Sequence, residues 1–168
     1  MKKIRRPLLI FLLLLLAGGG FYFSHRKENT TPISAQEIHL NTLVTVTLYG
    51  TDRMELLDGA FALCEHYEKL FSRTLPESEI YRLNHGEISK VSQETAELIQ
   101  TGLSYAELSE GAFDISIEPV SSLWDFTSGS AVIPDEKELA EAVALVDYRK
   151  VHVNGNTVTF DTPGMGLD

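Results

Sequence analysis

Hydrophobic and polar residues alternate from Ile38 to Leu48, where every second residue except Thr42 is apolar. Alternation of this period, in a segment rich in β-branched side chains, predicts a half-buried strand that ends at Gly50. Near the other end of the chain, alternating apolar residues flank Asn154-Gly155, a pair typical of a type I′ turn. Residues 151–160 are therefore predicted to form a β-hairpin.

Between these segments, apolar residues recur at spacings of three and four, which predicts amphipathic helices. Four helices are predicted, each after a residue that can cap its first turn. Asp52 precedes a helix to about Phe71, Ser78 one through Leu83, and Ser92 one that stops at Gly111. Asp135, with Glu138 in capping-box spacing, precedes the last helix. Residues 88–91 and 112–117 are predicted to be extended. Antiparallel strands combined with packed helices predict an α+β fold.

The N-terminus has a different composition from the rest of the chain. Four basic residues within positions 2–6 precede an apolar run from Leu8 to Phe23. The length of this run is intermediate between that of a signal-peptide core and that of a short membrane-spanning helix. The cations before it predict that the residues after it are exported. Residues 1–27 are therefore predicted to be a signal anchor or a cleaved signal peptide, followed by a polar linker at 28–36. The domain from residue 37 is expected on the outer face of the cell membrane, or secreted after cleavage.

The predicted exported part is strongly acidic. Residues 1–27 hold six of the fourteen basic residues and none of the 24 acidic ones, which leaves residues 28–168 with a net charge of −16. This charge argues against nucleic-acid binding and against adhesion to anionic lipid. A phosphate-rich ligand would need a metal ion or helix N-termini to offset the repulsion.

Elementary motif analysis excludes several kinds of site. The sequence has neither a glycine-rich phosphate loop nor the Cys and His spacing of a zinc site. Its single cysteine, Cys64, forms no internal disulfide and falls on the apolar side of a predicted helix. From the residues alone, the chain is an exported acidic α+β domain.

Three segments, taken in their order and spacing, resemble the FAD:protein FMN transferase (ApbE) family. They are SRTLPESEIYRLN at 72–84, GAFDISIEP at 111–119 with Leu123-Trp124 beyond it, and GMGLD at 164–168. The strand that includes Leu40-Asn41-Thr42 is similar to the family's opening strand. The resemblance covers about residues 38–168.

This resemblance implies an ApbE-like (T-fold-like) flavin transferase fold. It also implies binding of FAD and Mg²⁺, and transfer of FMN to a threonine hydroxyl of an acceptor flavoprotein with release of AMP. The positions that match the family's FAD contacts are Leu40, Thr74, Ala112, Phe113, Asp114 and Asp168. Because the family's metal ligands lie beyond the last motif, residues 37–168 are expected to be the N-terminal part of the domain. No metal ligand or catalytic residue is assigned here.

The chain departs from the family pattern at several of these positions. Asn41 and Glu118 replace glycines, and Thr74 replaces an aromatic residue. Asp114 is also explained as a turn residue that accepts hydrogen bonds from nearby backbone N–H groups. Three alternative functions therefore stay open: an FAD pyrophosphatase in which water replaces threonine, a non-catalytic FAD-binding protein tethered to the membrane, and an interaction domain or decayed gene product.

Overall fold

The computed structural model describes residues 31–124 and 133–168. These residues divide into two compact units, one with the described residues up to Glu37 and Leu43–Ala60, the other with Ile38–Thr42 and Phe61–Asp168. Within the described ranges, no helix has the length and apolar character needed to cross a membrane. The predicted anchor at 1–27 lies outside the described residues.

Two strands, not one, occupy the first alternating segment. β1 (Ile33–His39) and β2 (Thr42–Leu48) form a two-stranded sheet. The two residues that join them, Leu40 and Asn41, have φ of 53° and 55°, as a type I′ turn requires. The single predicted strand is therefore wrong, because the chain reverses at Leu40. Residues 33–36, predicted as linker, belong to β1.

The predicted burial pattern holds in β2 and fails in β1. Val44, Val46 and Leu48 are half-buried on one face of β2, as expected. Ile38 is 80% exposed and Leu40 is 51% exposed, although both were predicted on the buried face. The turn at Leu40 changes the register, so alternation across it does not describe a single face.

The helices after β2 agree closely with the predictions. α1 (Glu55–Phe71) begins three residues after Asp52, and α2 (Glu79–Asn84) is capped by Ser78, which accepts from the Tyr81 N–H. α3 (Gln93–Leu108) is capped by Ser92, which accepts from the Thr95 N–H. Ser78 and Ser92 satisfy N–H groups that have no partner inside the helix, which fixes where α2 and α3 begin. Asp52, predicted to cap α1, is not the residue that precedes its first turn.

Neither segment predicted to be extended forms a strand. Residues 88–91 make a single bridge, from Lys90 to Thr157. Residues 112–116 form turns and lead into α4 (Glu118–Ser121). The Asp114 carboxylate accepts from the Ser116 N–H at 2.8 Å, and this local bond favours a turn over an extended chain.

The C-terminal elements have the predicted order. α5 (Glu136–Val143) begins after Asp135, whose carboxylate accepts from the N–H groups of the first turn, and a 3₁₀ turn (Tyr148–Lys150) leads to the hairpin. β3 (Val151–Asn154) pairs antiparallel with β4 (Thr157–Phe160), and Asn154 lies opposite Thr157. The turn is therefore Gly155-Asn156. Of these two residues, only Gly155 has a positive φ. The turn therefore fits type II′, and the predicted type I′ turn is wrong.

The hydrophobic core of the second unit joins these elements. Its buried members come from α2, the 88–91 segment, α3, the β3–β4 hairpin and the terminal segment: Ile80, Leu83, Val91, Ala96, Ile99, Val151, Val158, Met165 and Leu167. The combination of helices and antiparallel strands places the chain in the α+β class, as predicted. The core holds residues 165–167 inside the unit, so the segment that ends at Asp168 is packed in place.

Candidate functional site

A groove in the second unit consists of three adjoining cavities. The central cavity has a volume of about 390 Å³ and is mostly apolar. Its walls are Phe71, Ile80, Leu98, Ile99, Thr101, Gly102, Tyr105, Phe113, Ile115, Leu167 and Asp168. An apolar cavity bordered by a few polar groups is the usual form of a small-molecule site.

A cavity flanks the central one on each side. The hairpin cavity, about 590 Å³, lies under the β1–β2 turn and shares Phe71 and Leu98 with the central cavity. The loop cavity, about 700 Å³, lies beside residues 110–114 and shares Phe113 and Asp168 with the central cavity. The three cavities therefore adjoin one another through shared walls, and together they are called the groove.

All six residues predicted to contact FAD line this groove. Leu40 and Thr74 border the hairpin cavity. Phe113 and Asp168 border both the central and the loop cavity, and the loop cavity is also lined by the remaining pair, Ala112 and Asp114. Their contact with FAD stays a prediction. Residues from distant parts of the chain nevertheless share one surface, as a common ligand would require.

The Leu40 end of the groove is held by side-chain hydrogen bonds. The Asn41 amide donates to the Thr74 hydroxyl at 3.2 Å, and the Ser72 hydroxyl accepts from the Thr74 N–H at 3.2 Å. Asn41 therefore has a structural explanation at a position where the family has glycine. Asparagine tolerates the left-handed φ found here and also connects the turn to the loop after α1.

The Asp114 carboxylate is bonded to the protein on both oxygens. Oδ1 accepts from the Ser116 N–H at 2.8 Å and from its hydroxyl at 2.6 Å, while Oδ2 accepts from the Tyr148 N–H at 3.0 Å. Ser116 is fully buried and also accepts from the Asp147 N–H at 2.9 Å. Asp114 therefore fastens the 111–116 loop to the 3₁₀ turn, which matches the structural role considered from the sequence.

Asp168 meets three other parts of the unit. Its Oδ1 lies 3.0 Å from Arg73 Nε, and its Oδ2 accepts a short hydrogen bond from the Ser121 hydroxyl. Its N–H donates to the Ile115 carbonyl at 3.0 Å. The preceding residue, Leu167, exchanges two hydrogen bonds with the Asn84 side chain, at 2.8 and 2.9 Å. These contacts fix the carboxylate at the wall of the groove.

Glu118 is a second carboxylate near this position. Burial raises the pKa of the Glu118 carboxyl above its usual 4.5; the Arg73 guanidinium opposes the rise, and Asp168 adds to it. Glu118 also packs closely against the backbone of Gly166, since a Cβ there would lie 2.7 Å from Glu118 Oε2. Sequence analysis noted Glu118 only as a departure from the family, and it did not find Arg73, Asn84 or Ser121. Their roles depend on partners far along the chain, for which the sequence carries no local signal.

Few cations face the groove. Of the residues that line its three cavities, only Arg73 and Arg149 are basic. Arg149 stacks over the Tyr148 ring at 4.6 Å and is 3.5 Å from Asp147. Within the described residues, no group of three or more His, Cys, Asp or Glu side chains could hold a metal ion.

Comparison with known proteins places this chain in a family. The model of the ApbE family matches residues 40–168. The chain belongs to the ApbE family. Curated relatives named FAD:protein FMN transferase include those of Treponema pallidum, 28% identical over 149 residues, and of Vibrio cholerae, 26% identical over 148 residues. Each alignment covers 80% of this chain and 41% or 44% of the relative, so the chain spans less than half the length of these ApbE proteins.

Solved ApbE structures have the same fold. The flavin transferase ApbE from Vibrio cholerae superposes with a TM-score of 0.73 at 23% identity, covering 83% of this chain and 48% of that protein. The ApbE protein from Thermotoga maritima gives a TM-score of 0.72, also at 23% identity, over 82% of this chain and 47% of its own. These values show that residues of this chain adopt the ApbE fold.

Proposed function

We propose that this chain provides the FAD-binding groove of an FAD:protein FMN transferase, which moves FMN from FAD to a threonine hydroxyl of an acceptor flavoprotein and releases AMP. Family membership and the names of the curated relatives support the reaction. The observation that carries the proposal is the position of the six predicted contact residues, which line one groove although they come from four separate segments.

The groove suits a dinucleotide on physical grounds. Its central cavity is apolar, and Tyr105 and Phe113, which are 59% and 50% exposed, offer ring faces against which a flat heterocycle can stack. Asp168 offers carboxylate oxygens at the junction of two cavities to accept hydrogen bonds from ribose hydroxyls or a base amino group. The side cavities give such a ligand room to extend past this junction.

In the proposed reaction, the threonine oxygen attacks the phosphorus of the FMN half. The new P–O bond replaces the bond to the AMP phosphate, the hydroxyl proton passes to a base, and AMP leaves. A bound Mg²⁺ would neutralise charge on the phosphate oxygens. The described residues gather no ligand set for this ion, so no step is assigned to a metal held by this chain.

The acceptor and the location belong to the same proposal. The cations and apolar run of residues 1–27 support attachment to the cell membrane with the groove on the outer face, where the acceptor flavoprotein would meet it. A non-catalytic FAD-binding role for this chain is a second candidate. It is favoured by Thr74, which borders the hairpin cavity and replaces an aromatic residue of the family pattern.

Titration calorimetry of FAD into the full 168-residue chain, with and without Mg²⁺, tests the proposal. We expect saturable binding that AMP competes for, and chromatography of the mixture then reports whether AMP is released. Release of AMP and free FMN without any acceptor would favour the pyrophosphatase alternative. Binding without AMP release, even after a flavoprotein with a target threonine is added, would favour the non-catalytic one. A folded chain that does not bind FAD would refute the proposal.

A matched pair of variants connects binding to the groove. Phe113→Ala removes a ring that borders two of the cavities, and we expect FAD affinity to fall about tenfold, as for loss of one stacked ring. Leu108→Ala removes a side chain that is 79% exposed and lines none of the three cavities. Its affinity for FAD should match that of the wild type. Equal effects of the two substitutions would show that FAD binds elsewhere.

A further inference from the structure

The Asp168 carboxylate is held by two side chains, one on each oxygen. One oxygen pairs with Arg73 Nε at 3.0 Å, and the other accepts from the Ser121 hydroxyl. These partners come from the loop after α1 and from α4, so two separate elements orient one carboxylate. The side chains of Arg73 and Asp168 are 24% and 33% exposed.

The backbone around Asp168 is fixed independently of that pair. Leu167 is 3% exposed and exchanges two hydrogen bonds with Asn84, and the Asp168 N–H donates to the Ile115 carbonyl. Removing Arg73 would therefore leave the segment in place and free one of the two carboxylate oxygens. This separation makes it possible to distinguish a role in orientation from a role in folding.

An ion pair that is partly exposed adds little to stability, since side-chain ordering and solvent screening offset most of the attraction. It can still determine where a carboxylate points. Functional side chains act best when their rotamers are fixed by neighbouring hydrogen bonds. Arg73 and Ser121 leave the remaining lone pairs of both Asp168 oxygens available to a ligand, because each oxygen can accept more than one hydrogen bond.

We propose that Arg73 and Ser121 are positioning residues, which hold the Asp168 carboxylate in the orientation that binds FAD. This inference rests on the proposed function. Neither residue is among the six positions that match the family's FAD contacts. Arg73 borders the hairpin cavity and Asp168 borders the other two, so their ion pair also joins the walls of all three cavities.

A double-mutant cycle in the full chain tests this inference, with FAD affinity as the readout. We expect Arg73→Gln and Asp168→Asn each to weaken FAD binding about tenfold or more, the factor expected for a hydrogen bond to a charged group. Because Arg73 acts through Asp168, adding Arg73→Gln to Asp168→Asn should cause no further loss. Ser121→Ala should have a smaller effect in the same direction.

The matched control is Arg82→Gln. Arg82 pairs with Glu87 at 3.5 Å and lines none of the three groove cavities. It should bind FAD within twofold of wild type. Circular dichroism and urea unfolding report whether each variant folds; if Arg73→Gln does not, Arg73→Lys keeps the charge and should retain part of the affinity. Losses that add in the double variant, or the absence of any loss in Arg73→Gln, would overturn the inference while the wild type still binds FAD. A wild type that does not bind FAD would overturn the proposed function as well.

Discussion

Replacing Asp114 by asparagine separates two roles of this residue, fastening a loop and contacting a ligand. The carboxylate accepts two hydrogen bonds from Ser116 on Oδ1 and one from the Tyr148 N–H on Oδ2. Asparagine has only one acceptor oxygen. If that oxygen stays with Ser116, the new NH₂ group faces the Tyr148 N–H, and two donors oppose each other.

The expected loss of stability can be worked out from these contacts. A hydrogen bond to a charged group contributes about 1.5–3 kcal/mol, and one such bond is lost. The two that remain lose their charge assistance and keep roughly half their strength. The free energy of unfolding should therefore fall by about 3–6 kcal/mol, a large share of the stability of a typical domain.

Urea unfolding monitored by circular dichroism measures this change. Asp161→Asn is the control, because Asp161 is an exposed carboxylate whose partner is His152 at 2.8 Å. We expect its effect to stay below about 0.5 kcal/mol, as for most surface substitutions. The reasoning fails if Asp114→Asn unfolds at the wild-type urea concentration. If it did so and also lost FAD binding, ligand contact would be the main role of Asp114.

Three further predictions concern other positions near the groove. Asn84→Ala leaves the N–H and C=O groups of buried Leu167 without their partners, so urea unfolding should show a loss of about 2–4 kcal/mol. Leu40→Gly removes the strain of a left-handed leucine and should raise stability by about 1 kcal/mol, while calorimetry should show weaker FAD binding if Leu40 contacts the ligand. Glu118→Gln should stabilise the protein at neutral pH, because burial raises the pKa of Glu118 and so disfavours its ionised form in the folded state. The stability that neutral Glu118 gives the wild type is fully present below its unfolded pKa of 4.5 and is lost as the pH rises through the higher folded pKa. The stability advantage of Glu118→Gln over the wild type should therefore grow as the pH rises between these two pKa values.

Each of these has an outcome that contradicts it. An Asn84→Ala variant as stable as Asn154→Ala, a substitution at an exposed strand end, would mean that the bonds to Leu167 contribute little. Loss of stability in Leu40→Gly would show that the leucine side chain outweighs backbone strain. A stability difference for Glu118→Gln that is the same at pH 4 and pH 8 would disprove the link to ionisation.

Local sequence determined much of this protein. Ser78, Ser92 and Asp135 cap helices where predicted, because a capping side chain needs only backbone N–H groups two or three residues away. The three motifs at 72–84, 111–119 and 164–168 identified the family, and the family model matches residues 40–168. Periodicity failed where a turn intervened, since the alternation around Leu40 is the same for one long strand as for two strands joined by a type I′ turn.

Tertiary structure decided what the sequence left open. The bonds between Asn84 and Leu167 connect residues 83 positions apart, and the Arg73–Asp168 pair spans a still longer separation. Such contacts depend on how helices and loops pack, and no local pattern encodes them. Asp114 is a further example, because its bond to the Tyr148 N–H, which holds the 111–116 loop against the 3₁₀ turn, forms only in the folded chain. The sequence by itself specified the six predicted FAD contacts. Packing of the core placed them along one groove and brought up the neighbours that hold them there.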